Sequence, residues 1–84
     1  MRLKVMDTGF ATGPSETVVL VATAGGSSEE VIVDRRTIED GTIEVGFPVA
    51  SRDDQWLVEL PRETMRGMWR VWVLKEQILA GETA

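Results

Sequence analysis

Glu16 to Thr23 reads ETVVLVAT, a run of β-branched and apolar residues whose restricted χ1 angles suit a pleated strand better than a helix. Strand alternation sets Val18, Leu20 and Ala22 on one face and Val19 and Val21 on the other, the pattern of a strand covered on both sides. Ala24-Gly25-Gly26-Ser27 offers the permissive residues of a hairpin turn, and Glu29 to Val33 (EEVIV) returns from it.

The same punctuation recurs along the chain. Leu3 and Val5 alternate with Arg2 and Lys4 in a first strand from Leu3 to Met6, closed by Asp7-Thr8-Gly9 and Gly13-Pro14-Ser15. Asp34 can cap a helical turn over Arg35-Arg36-Thr37 by accepting a backbone N–H. Asp40-Gly41 is a tight-turn pair, because glycine takes positive φ without steric cost. Thr42 to Val45 reads as a strand that Gly46 and Pro48 bend or end. The polar turn Ser51-Arg52-Asp53-Asp54 leads into Gln55 to Leu60, where Trp56, Val58 and Leu60 share a face, and Pro61 stops it.

The last third carries two periodicities. Met65, Met68, Trp69 and Trp72 fit one face of a helix from Pro61 to Ala80, but Val71, Leu74 and Ile78 would make that helix apolar nearly all round. Gly67 weakens a helix, and Trp69 to Leu74 is rich in strand formers. These residues predict a strand from Met68 to Leu74 followed by a helical turn at Lys75 to Leu79. No internal repeat or linker stands out. The expected architecture is therefore a single mainly β domain over residues 1–84. It is a small curled sheet or SH3-like barrel of about five to six short strands with one or two short helical turns.

Composition narrows the chemistry. The chain has no cysteine and no histidine, so disulfides, cysteine–histidine zinc sites and nucleophilic dyads with a histidine base are all excluded. At 84 residues one core must be enough, or a partner copy must add to it. Fourteen acidic against nine basic residues, a net charge of −5, argues against a general phosphate binder. The N-terminal segment lacks a signal-peptide core, and no run approaches the roughly 18 apolar residues of a membrane span, so the expected location is cytoplasmic, off the membrane. Glu29-Glu30, Glu39-Asp40 and Asp53-Asp54 are the close carboxylate pairs. They read as solvated turn or strand charge, not as an acid–base pair, and Asp53 and Asp54 lack the spacing of a calcium loop. Gly25-Gly26-Ser27-Ser28 lacks the lysine and following helix of a phosphate loop. No catalytic residue, cofactor or metal is expected.

One cluster stands apart. Arg62, Arg66, Arg70 and Lys75 interleave with Met65, Met68, Trp69 and Trp72. Arginine, tryptophan and methionine are enriched at protein interfaces, and arginine–tryptophan surfaces also stack single-stranded nucleic acid. In a strand from Met68 to Leu74, Trp69, Val71 and Val73 face one way and Met68, Arg70, Trp72 and Leu74 the other, and only one face can be the core. The blander possibility is that both tryptophans are core, with arginines lying at the edge. The leading expectation is a non-enzymatic homodimer or protein-binding module using Trp69, Trp72, Arg66, Arg70 and Met68. The alternative is an RNA- or single-stranded-DNA-binding regulator using Arg62, Arg66, Arg70 and Lys75.

Val73-Leu74-Lys75-Glu76-Gln77-Ile78, with Pro61 upstream, resembles the C-terminal region of the carbon-storage-regulator family, which implies a dimeric RNA-binding fold with a helical tail. The sequence departs from that pattern. Lys75 stands where the family has arginine, the stretch from Pro61 to Val73 is longer, and an extra strand precedes the match. The resemblance is not adopted.

Overall fold

A computed structural model describes residues 1–11 and 13–79. The described chain is mainly β and contains no α-helix. Its strands are β1 (Arg2–Lys4), β2 (Met6–Asp7), β3 (Glu16–Ala22), β4 (Ser28–Asp34), β5 (Thr42–Glu44), β6 (Ala50–Arg52), β7 (Gln55–Glu59), β8 (Arg70–Leu74) and β9 (Ile78–Leu79). They form three antiparallel three-stranded sheets, ordered β5-β1-β9, β2-β3-β4 and β6-β7-β8, and no single closed barrel. The strand reading of the last third holds. β8 begins at Arg70, not Met68, and the turn after it is a 3-10 turn at Lys75–Gln77 that runs directly into β9.

Local chemistry explains the turns. Asp40 and Gly41 both take positive φ, 50° and 73°, between Glu39 and Thr42, which exchange backbone bonds of 3.0 and 2.9 Å. That is the left-handed geometry of a two-residue hairpin loop, which matches strand twist. Asp34 Oδ1 accepts the Arg36 N–H at 2.9 Å and so caps the 3-10 turn Arg35–Thr37.

The sheets also reveal a repeat that the sequence hides. Each half of the chain makes a three-stranded meander, then a 3-10 turn, then a short strand that pairs with β1. Val31, Val33 and Ile38 of the first half correspond to Val71, Val73 and Ile78 of the second at one constant separation. Backbone bonds correspond as well. Arg35 N–H reaches Ser15 O at 2.8 Å, as Lys75 N–H reaches Asp54 O at 2.8 Å. The halves clasp reciprocally: Ala24 in the first hairpin loop donates to Trp72 O at 2.9 Å, and Met65 in the second donates to Glu30 O at 2.8 Å. The expectation of no repeat is thus corrected. Strand order and backbone bonding recur while most side chains differ.

At the centre lies Leu3, fully buried, paired across β1 with Ile43 on one side and Ile78 on the other. Around it pack Val19, Val21, Val31, Val33, Val45, Val58, Leu60, Val71 and Val73, with Trp56 half-buried against them. In β3 the core-facing set is Thr17, Val19 and Val21. On the opposite face Val18 is covered, Leu20 half-covered and Ala22 exposed, so the outer cover of this strand is partial.

Candidate functional site

β8 turns Val71 and Val73 into the core and Arg70, Trp72 and Leu74 outward. Trp69 shares the alternation of Val71 but precedes the strand, and it is not core: its carbonyl still bonds Leu60 N–H at 2.9 Å, while its side chain is 56% exposed at the end of the sheet. Met65 and Met68, at 61% and 47%, are exposed on the same β7–β8 connection. This connection starts at Pro61, which cannot continue the β7 ladder, and folds back over the first half of the molecule.

Thr64 fixes that fold. Its hydroxyl accepts the N–H groups of Met68 at 3.0 Å and Arg66 at 3.3 Å, and its backbone bridges to Val31. Beneath it Glu29 is 5% exposed and ion-paired with Arg66. The hydrogen bond from Arg66 lowers the Glu29 carboxyl below its ordinary 4.5. Burial works against that shift, and the Thr64 hydroxyl adds to it. A carboxylate depressed on folding contributes stability in full above its unfolded pKa and loses it as pH falls through the folded value. The urea midpoint should therefore fall as pH drops below about 5, and Glu29→Gln should flatten that slope. An unchanged slope in Glu29→Gln would remove Glu29 from the acid response. Asp34, lowered to about 2 chiefly by the Arg36 side-chain hydrogen bond, loses its contribution at more acid pH.

Between the tip of the β3–β4 hairpin and the outer edge of β8 lies an open cleft of about 350 Å3. Thr23, Gly25, Ser27 and Glu29 line one side, and Arg70, Val71 and Trp72 the other, with Met68, Arg52 and Gln55 completing the wall. The Arg52 guanidinium lies 4.1 Å from the centre of the Trp72 ring, a cation–π contact. Three of the residues expected at an interface, Met68, Arg70 and Trp72, meet in this cleft. Arg66 lies against its Glu29 wall, and Trp69 stands outside on the loop.

The four cations of the alternative patch are not gathered. Arg62 pairs with Glu16 at 2.9 Å and lines a different pocket with Asp34, Thr37 and Glu44. Arg66 pairs with Glu29, and Arg70 with Glu59 at 2.9 Å. Lys75 lies over the Trp56 ring at 5.5 Å. Arg52, Thr23 and Ser27 were not singled out from the sequence as site residues. The turn at Asp53-Asp54 announces that Arg52 faces Gln55 across a hairpin. Bringing it onto Trp72, however, needs the β7–β8 register, which a long connection leaves open.

Among the described residues no group of three or more acidic side chains is placed to hold a metal ion. Comparison with protein-family models, with curated proteins and with solved structures finds no match.

Proposed function

We propose that this chain is a non-enzymatic interaction module that self-associates through the β7–β8 loop and receives a protein segment in the adjoining cleft. The observation that carries the reading is the solvent exposure of Met65, Met68 and Trp69 together on one well-anchored connection. Large apolar side chains grouped on a surface mark contact sites. In a domain with neither disulfide nor histidine-bearing zinc site, a second copy is the economical cover, and a two-fold pair is the commonest closed form. Sedimentation equilibrium over a concentration series tests it. A dimer is expected in the micromolar range, and a chain that stays monomeric to high micromolar concentration overturns self-association.

The ion pairs weigh against the nucleic-acid alternative. Arg62, Arg66 and Arg70 each already face a carboxylate, so phosphate contacts would have to displace Glu16, Glu29 and Glu59. A binder using four cations would show affinity falling with salt at a log–log slope of roughly 0.7–0.9 per contact. The expectation here is no binding of oligo-uridine or oligo-thymidine even at low salt. Tight, salt-sensitive binding would restore that alternative.

A further inference from the structure

We infer that the Arg52–Trp72 cleft recognises a carboxylate side chain carried on an extended acidic peptide segment of a protein partner. The inference rests on the cleft being a protein-binding surface and adds the chemistry of what enters it.

The charges of the cleft do not balance. Glu29 is matched by Arg66, and Arg70 by Glu59. The Arg52 side chain has a single hydrogen bond among the described residues, to the neutral Gln55 Oε1 at 3.1 Å, and no ion pair. The contact with the Trp72 ring restrains the guanidinium, and the one bond to Gln55 leaves most of its five N–H donors without a partner among the described residues. A guanidinium held in this way matches a carboxylate in two-pronged fashion, with little ordering left to do on binding.

The number of open cations selects the anion. One unmatched guanidinium, with Glu29 in the opposite wall and Glu59 on Arg70, suits one monovalent group. A phosphate dianion or a polyphosphate backbone would meet those carboxylates with more charge and no second open cation in the cleft. The hairpin tip adds the Thr23 and Ser27 hydroxyls, 2.9 Å from each other.

The backbone selects the shape. Because Trp72 O reaches Ala24, the antiparallel ladder turns the N–H and C=O of Trp72 and Arg70 away from β7. On that side Ala24 already holds Trp72 O, and Arg70 has no backbone partner among the described residues, so the Arg70 N–H and C=O are the edge groups that can take a residue of an extended segment. Met68 and the Trp72 ring supply apolar contact for its alternate side chains.

The experiment is a titration of 15N-labelled protein, at about 0.15 M salt so that the net negative charge is screened beyond roughly 8 Å. The probe is a short blocked peptide of alternating valine and threonine with one central glutamate, and the same peptide with glutamine in place of that glutamate is its control. The expected result is a shift of the Trp72 indole N–H and of Thr23, Ser27 and Arg70 amides with the glutamate peptide, at least about tenfold weaker with the glutamine peptide. Arg52→Gln should reduce the glutamate peptide to the affinity of the control. Equal binding of the two peptides, shifts confined to other surfaces, no shift at all, or inorganic phosphate occupying the cleft more tightly than the peptide would each overturn the inference. The comparison of the two peptides on wild-type protein needs no variant. Self-association is read separately by sedimentation, so a monomer that binds the glutamate peptide loses only the dimer, and a dimer that does not bind it loses only this inference.

Discussion

Leu3→Ala is expected to lower the stability of the chain by about 3 kcal/mol, within the range of about 2.7–5 kcal/mol seen when a buried leucine leaves a cavity. Leu3 is fully buried and sits where the two halves meet, opposite Ile43 in one and Ile78 in the other. Neither neighbour can close the gap alone, because each is held in register by its own 3-10 turn and short strand. Native stability runs at about 0.05–0.15 kcal/mol per residue, so a domain of this size can lose a large share of its total. The melting temperature should fall by about 15 °C, given roughly 4–8 °C per kcal/mol for small domains. Urea unfolding with Leu79→Ala beside it provides the comparison, since Leu79 is exposed on the same sheet and its loss should cost little. Equal effects of the two substitutions would mean that β1 is not the joint of the fold.

Trp69→Ala is expected to raise the dimer dissociation constant about thirtyfold, the equivalent of about 2 kcal/mol for truncating an interface aromatic. Trp69 is a cleaner test than Trp72. It is more exposed, and its role in the fold is carried by its backbone oxygen, which accepts Leu60 N–H at 2.9 Å and survives the substitution. Trp72 packs against Arg52 and lines the cleft, so its removal would disturb folding and recognition together. Sedimentation equilibrium of wild type and variant measures the shift, and urea unfolding at high dilution checks that the monomer is intact. A dissociation constant that does not move would exclude the loop from the interface.

The internal repeat bears on how such a chain arises and folds. Two meanders with the same strand order, each ending in a 3-10 turn and a short strand, meet on one shared strand. Neither half has a core of its own, since the innermost residues of each press on those of the other and on Leu3. Cooperative unfolding in a single transition is the corresponding expectation for a domain of this length.

Much of this protein was written locally. The strands at Glu16–Ala22, Ser28–Asp34 and Gln55–Glu59, the Asp34 cap, the Asp40-Gly41 turn and the stop at Pro61 all follow from residue type. Each is decided by backbone torsions and side-chain alternation over a few neighbouring residues, which any reader of the chain can follow. The strand at Arg70–Leu74 belongs with them, because valine, tryptophan and leucine in alternation outweigh a helical spacing interrupted by Gly67.

The site needed the third dimension. Arg62, Arg66 and Arg70 look like an open basic patch until the fold sets Glu16, Glu29 and Glu59 against them, and each of those partners is distant in sequence or across a ladder. Arg52 reads as one residue of a polar turn until β7 and β8 pair and bring Trp72 beneath it. Trp69 and Trp72, alike in sequence, part company because Trp72 lies within β8 against Arg52, while Trp69 stands at the end of the ladder with its side chain exposed. The two-fold repeat stayed hidden for the same reason. Backbone bonds place one strand beside another with little regard to which side chains they carry, so pairing, register and the meeting of distant charges are properties of the assembled sheets.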